Sequence, residues 1–491
     1  MKNKKIPEQN REENYFVKAS LIVKDMEIKD VPCKIYLPER PHELPYLVFK
    51  PSEEHSLEIM TSHKGSFKAV IYGYDKKIQT TIEAPEVYFS GSSKKDWGED
   101  FVETTIPGEP QDLHVIRHLS SDDSQEKTHI VFWLSPNKLL TPFMTCTTSY
   151  TGEINYKRIS NLEFEIRDDF KIVFDKHFSS KTTRNRELIQ WSFLVACTDL
   201  DIPADDANAL KTNILPEVDD FLLIASFATR ERTACLGWSA TDNNSHATFY
   251  RGNFTFPEGN NDNNIDDGVI DFKYFGKFMQ DCYSTFLKFE NKLAIRSAIY
   301  SIVPSSNRTV EASFLRIFSG LETLILDFRR KGALEFILSE KEWQALRKYL
   351  QTCIKKSTYP KLSCEQRSLI YPKLGELNRV SLREAFDLFC QKYEVDLNDL
   401  WPVFGNKEVA GLVEIRNRLI HGDPFPHDLD RPLIVAEQHL KYTIERIILG
   451  VLRWNVMETN VRPDYLAKHF LAIKNLPDEL KRFSEYLQVH E

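Results

Sequence analysis

Arg416 stands five residues before His421 in Arg416-Asn417-Arg418-Leu419-Ile420-His421-Gly422, an interval at which no other arginine of the 491-residue chain precedes a histidine. A guanidinium can grip a phosphate and offset the charge that grows on it in a transition state. An imidazole titrates near neutral pH, so it can take a proton in one step and return it in the next. Cleavage of an RNA backbone without a metal needs little more than these two groups.

A helix must carry the pair. Asn406 can cap one that runs to about Ile420, with Val409, Leu412, Ile415 and Leu419 on its core face. Gly422 supplies a left-handed end and Pro424 forbids continuation. His421 then lies at the helix C-terminus, with Asn417 one turn before it on the same face. Arg416 is about 140° round the helix from His421 at 3.6 residues per turn. A single helix does not readily aim both at one phosphate, whereas two such helices meeting across a two-fold axis can complete each other's sites. The spacing therefore favours a homodimer or a higher even-numbered oligomer. A plainer use of the histidine is to satisfy end carbonyls beside a C-cap glycine. Arg462 and His469 form a similar pair with six residues between them, but Pro463 places Arg462 outside its helix.

The chain around this segment reads as helical. Phe314, Phe318, Leu321, Ile325 and Phe328 fall at steps of four, three, four and three, the stripe of a long amphipathic helix. Ser381–Tyr393 opens with a serine cap and a glutamate three residues on. Pro432–Val456 is a further helix with proline in its first turn, and Pro463 to about Leu487 forms the last one or two. The first half has a different period. Phe67–Tyr74, His129–Leu134, Leu162–Arg167, Phe170–Phe174 and Ser245–Phe254 are short and rich in β-branched and aromatic residues. Turn signals at Gly91-Ser92-Ser93, Pro107-Gly108 and Asp122-Asp123-Ser124 separate them. A helix is expected only near Asp205–Lys211, and His114 and His118 are expected on the surface. The expected class is α+β and multidomain: a tail over 1–14, a β-rich sandwich or barrel over 15–268, a connecting helical segment over 269–304, and a helical bundle with a C-terminal extension over 305–491. The polar stretch Glu258–Gly268 marks the boundary.

Composition narrows the class further. Hydrophobic residues at 42% and charged residues at 28% describe a globular protein. No apolar run approaches a bilayer span; Phe221–Ala228 is strand-sized. The opening residues lack the apolar core of a signal peptide. Eight scattered cysteines without a CxxC read as reduced thiols, several of them buried, of a cytoplasmic protein. A zinc site on Cys353 and Cys364 lacks partners at a suitable spacing, and no GxxxxGK[ST] loop is present, so neither metal nor cofactor is expected. The net charge of −8 argues against an all-over nucleic-acid binder. Residues 1–270 hold 31 Lys and Arg against 43 Asp and Glu, whereas 271–491 hold 33 against 29. Any surface facing phosphate belongs to the second half.

The run Glu414-Ile415-Arg416-Asn417-Arg418-Leu419-Ile420-His421-Gly422 resembles the RNxxxH signature of the HEPN superfamily. The upstream segment Phe314–Leu326, with Leu321-Glu322, is similar to an early helix of its Apea-like branch. A β-rich N-terminal domain before a helical HEPN domain is the order found in ApeA-type anti-phage proteins. The resemblance implies a dimeric, metal-independent endoribonuclease of a bacterial abortive-infection system. In it Arg416 would bind the scissile phosphate. His421 would move protons as the ribose 2′-hydroxyl attacks, leaving a 2′,3′-cyclic phosphate. Asn417 would orient the histidine or hold a phosphate oxygen, and Glu322 would support Arg416 or His421. Arg418 replaces the small or apolar residue expected at its position, so it adds RNA affinity or faces water. The resemblance further assigns the acidic N-terminal domain to sensing a phage-derived trigger or to restraining the nuclease. The substrate RNA is left open among transfer, ribosomal and messenger RNA. The competing reading is a non-catalytic HEPN-type binding or assembly module in which Arg416 and His421 serve structure.

Overall fold

The computed structural model describes residues 15–23, 26–38, 43–52, 68–75, 80–89, 93–96, 102–119, 127–142, 144–148, 154–158, 162–182, 188–252, 268–303, 309–332, 334–422 and 425–489. The expected tail, the Asp122-Asp123-Ser124 turn, most of Glu258–Gly268 and Pro424 lie outside them. Within them the chain is α+β, antiparallel strands first and helices after. It divides into two compact units, residues 1–265 with 275–280, and residues 266–274 with 281–491.

In the first unit the strands are β1 (Tyr15–Val23), β2 (Met26–Tyr36), β3 (Tyr46–Phe49), β4 (Lys68–Asp75), β5 (Thr80–Phe89), β6 (Ser93–Asp96), β7 (Val102–Pro110) and β8 (Asp112–His118). They continue with β9 (Thr128–Leu134), β10 (Met144–Thr148), β11 (Ile154–Arg158), β12 (Leu162–Arg167), β13 (Phe170–Thr182), β14 (Leu188–Leu200), β15 (Cys235–Thr241) and β16 (Ser245–Arg251). Among the described residues the sheet runs β1-β2-β3-β7-β5-β8-β16-β15-β9-β14-β13-β12, with β4 on β5, β6 on β7, and β10–β11 as a separate ribbon. Alternation explains the register where one face is wet: Phe164 and Ile166 of β12 are buried while Glu163 and Glu165 point out.

Three expectations fail here for physical reasons. Pro107-Gly108 is no turn but the middle of β7, opposite Val48 and Leu47 of β3. On the other edge of β7, β6 pairs as far as Thr105 and β5 pairs from Gly108. Pro107 falls between them, where no ladder bond asks for the N–H it lacks. Phe221–Ala228 is no strand but the centre of α1 (Leu215–Thr229), whose first turn contains Pro216 and which is buried continuously from Phe221 to Thr229. A helix that is apolar all round shows no stripe, so periodicity could not separate it from a buried strand. Phe221 packs at 5.0 Å from Phe164 and 5.8 Å from Phe174, ring centre to ring centre. His114 is buried, unlike His118, because the middle of β8 is covered on both faces, and burial pushes its pKa down to about 4.

The second unit begins with α2 (Phe272–Leu287), part of which belongs to the first, and continues with α3 (Lys292–Ile302) and α4 (Val310–Lys331). Then come α5 (Glu340–Lys356), α6 (Cys364–Lys373), α7 (Leu382–Lys392), α8 (Leu412–His421) and α9 (Asp430–Val451). The chain closes with α10 (Pro463–His469), α11 (Leu471–Lys474) and α12 (Leu476–Val489), three helices where one or two were expected. Helix α4 is central: Phe314, Phe318, Leu321 and Ile325 are buried along it, and α3, α7, α8 and α9 pack on it. Helix α9 stops at Val451, short of Val456, with Arg453 in the left-handed region just beyond. Inside α9, the buried Arg446 donates to the Val461 carbonyl at 2.9 Å, to the Asp396 carbonyl at 3.1 Å, and to both oxygens of Asp399.

Candidate active site

Helix α8 starts at Leu412 with Gly411 as its cap, five residues later than expected, because Asn406 is engaged elsewhere. Its Oδ1 accepts from the N–H groups of Glu408 and Val409 and closes a local turn. Val409 consequently lies before the helix. The helix start is instead built by the loop 401–411 folding back on itself. The N–H groups of Leu412 and Val413 donate to the Pro402 and Val403 carbonyls at 3.0 and 2.9 Å. Glu414 Oε2 accepts from Gly411 N–H at 2.8 Å and from Gly405 N–H at 3.2 Å. Amides that a helix N-terminus leaves unsatisfied thus find partners. The Trp401 indole donates to the Ala410 carbonyl at 2.9 Å, the Ala410 N–H donates to Ser484 Oγ at 2.9 Å, and Arg383 donates to the Gly405 carbonyl. The crossing requires two glycines: a Cβ on Gly411 would meet the Gly405 nitrogen at 2.2 Å, and one on Gly405 would meet the Gly411 nitrogen at 2.6 Å.

At the other end Gly422 takes the left-handed conformation with φ 81°, and its N–H reaches the Arg418 and Leu419 carbonyls. Leu412 and Ile415 are fully buried. Burial of two such side chains stabilises the docking of α8 by about 1.5–3 kcal/mol each. Leu419 is only half-buried and Ile420 is exposed.

Arg416 leaves α8 on the side of α4. Its Nη2 lies 2.9 Å from Glu322 Oε1 and 3.2 Å from Oε2, and its Nη1 donates to Asn417 Oδ1 at 3.1 Å. The guanidinium carbon sits 5.9 Å from the centre of the Phe318 ring. Among the described residues its Nε–H and one Nη1–H have no acceptor, so two donors remain for a phosphate. The structure therefore brings Glu322, Asn417 and Arg416 together. Asn417 is engaged with Arg416, and no hydrogen bond joins it to His421. Arg418 does not face open water: its guanidinium lies 5.1 Å from the centre of the Tyr486 ring.

His421 is exposed at the last position of α8. Among the described residues it has no hydrogen-bond, ion-pair or ring partner, so its ring nitrogens are open to a ligand. Sequence reasoning missed Phe318, which shares the α4 face with Glu322 at an interval of four, and Glu414, three residues after the helix-starting glycine. The i,i+4 spacing and the N3 position were the available signals.

The second histidine at a structured centre is His439 of α9, fully buried. Its Nδ1 accepts from the Trp401 N–H at 3.2 Å, so the proton is on Nε2, which donates to the Ala472 carbonyl at 3.3 Å. Burial pushes its pKa down to about 4. A neutral ring with both nitrogens occupied supports the loop of α8 and has no free atom for chemistry. Cys353 and Cys364 are free exposed thiols, and among the described residues no three His, Cys, Asp or Glu side chains gather as they would around a metal ion. Among the described residues no helix is long and apolar enough to cross a membrane. No family model, no curated protein and no solved structure matches this chain.

Proposed function

We propose that this chain is a metal-independent endoribonuclease acting through Arg416 and His421. The observation that carries the proposal is the contrast on one helix: among the described residues, an arginine aimed by three neighbours keeps two donors to spare, and a solvent-facing histidine keeps both nitrogens unengaged. In the reaction a His421 nitrogen accepts the proton of a ribose 2′-hydroxyl while that oxygen attacks phosphorus. The bond from phosphorus to the 5′-oxygen breaks, and the departing oxygen takes a proton from an imidazolium or from water. The products are a 2′,3′-cyclic phosphate and a 5′-hydroxyl. The free N–H groups of Arg416 bind the non-bridging oxygens, whose charge rises in the transition state. Glu322 and Asn417 act as positioning residues for the guanidinium. Arg416 and His421 diverge around α8, so the site is completed across a homodimer, each protomer lending one group to the other's centre.

On the strength of its resemblance to the Apea-like HEPN branch, we read this activity as part of a bacterial anti-phage response, with the β-rich unit as the sensor of a phage-derived trigger. A second reading has one observation in its favour: the Arg416–Glu322 pair ties α8 to α4, as it would in a binding or assembly module without catalysis. Incubation of the purified protein with total bacterial RNA in EDTA, with fragment ends read chemically, separates the two. Cyclic-phosphate ends are expected; intact RNA under conditions where the protein is toxic to its host favours the module.

A further inference from the structure

The cation excess of the C-terminal half sits in one place. Residues 340–373 carry eight Lys and Arg against three Glu, while the rest of 271–491 carries 25 against 26. This stretch is the excursion made by α5 and α6. Its ends meet at Asn378, whose carbonyl accepts from the Ile337 N–H and whose Oδ1 accepts from the Leu338 N–H, each at 2.8 Å. The chain thus leaves and rejoins the bundle at one point. Trp343 is the only buried residue of α5, and α6 has none. An excursion that buries so little adds little stability; what it presents is its outer surface.

On α5, Lys341, Lys348 and Lys355 recur at every seventh position, a stripe on the side away from Trp343, with Lys356 at its edge. Successive members are about 10 Å apart at 1.5 Å per residue. All four are exposed, and among the described residues none has an ion-pair partner. Glu342 lies off the stripe and is turned back onto Ser339. Tyr349, next to Lys348 on α5, and Tyr359, three residues beyond the end of α5, are 66% and 95% exposed. Unpaired lysines beside open aromatic faces suit a polyanion whose bases can stack.

We propose that the α5–α6 excursion is an RNA-docking surface distinct from Arg416 and His421, holding single-stranded RNA by phosphate contacts to the lysine stripe and by stacking on Tyr349 and Tyr359. The inference rests on the ribonuclease reading for its partner. Its test uses full-length His421→Ala protein, so that RNA survives, and fluorescent polyuridine titrated over a range of salt. Replacing Lys341, Lys348, Lys355 and Lys356 together by glutamine changes only exposed side chains, and melting checks the fold. Affinity at low salt is expected to fall by about tenfold or more, and the log–log salt slope by about 3, at about 0.7 per lost contact. The double variant Tyr349→Ala/Tyr359→Ala is expected to lose affinity with the slope unchanged. An unchanged slope and affinity in the lysine variant overturn the proposal. So does a tyrosine variant that binds like its parent while polyglutamate competes as well as polyuridine, the pattern of an acidic protein partner. The two readings fail separately. RNA cleavage by the wild-type chain with KM unmoved in the lysine variant removes the surface and leaves the nuclease. Loss of RNA binding in a protein that never cleaves removes the nuclease and leaves the surface.

Discussion

Arg416 Nη2 is shared between both carboxylate oxygens of Glu322, at 2.9 and 3.2 Å, across the packing of α8 on α4. Both side chains are partly buried, so the pair is worth about 1 kcal/mol of stability and chiefly fixes where the guanidinium points. Glu322→Ala should therefore lower the melting temperature by only about 2–4 °C yet lower kcat for RNA cleavage by about tenfold, with KM little moved. Glu322→Gln, which keeps an acceptor, should recover part of the loss. Stability and steady-state kinetics on both variants check this.

If each active centre takes Arg416 from one protomer and His421 from the other, two inactive variants should rescue each other. Mixing Arg416→Ala with His421→Ala protein and allowing subunits to exchange should restore about a quarter of the wild-type rate, since half the dimers are mixed and each holds one intact centre. No recovery, with exchange demonstrated, would place both groups in one protomer.

The glycine crossing that starts α8 gives a stability test. Gly411→Ala drives a Cβ into the Gly405 nitrogen at 2.2 Å and should cost about 2 kcal/mol or more in urea unfolding. Among the described residues Gly422→Ala meets no atom within 4 Å, and only its positive φ opposes the substitution, so about 1 kcal/mol is expected.

His439 makes the helical unit acid-sensitive. Its folded pKa, near 4, lies below the ordinary 6.5, so the unfolded chain binds the proton more readily between those values. Stability is then complete above about pH 6.5 and is lost as pH falls from there toward 4, by about 3 kcal/mol in all. His439→Gln can accept from Trp401 and donate to Ala472 without titrating, and should flatten this limb in urea melts run between pH 7 and pH 4.5, the upper and middle part of that window. His114 adds a limb of the same sign in the β-rich unit.

The sequence made the long helix α4 legible because its apolar stripe has one wet side, and β12 legible because its alternation has one wet face. It concealed α1 because a helix buried on every side has no period. It misplaced the start of α8 because a capping asparagine looks the same whether it opens a helix or closes a turn, and Asn406 does the latter. Glu322 enters as a support for Arg416 or His421 only through the family resemblance; from the residues alone it is a carboxylate at the edge of a stripe, and its pairing with a residue 94 positions away depends on how α8 docks, which no local pattern encodes. The end position of His421 followed from Gly422 and Pro424; its exposure did not.

The most direct test of the account is the rate at which wild-type and His421→Ala protein cleave the same RNA in EDTA, with matched melting curves showing both folded. Cyclic-phosphate products are expected from the wild type, and a loss of about 10²-fold or more in the variant. Equal cleavage by the two proteins would contradict it.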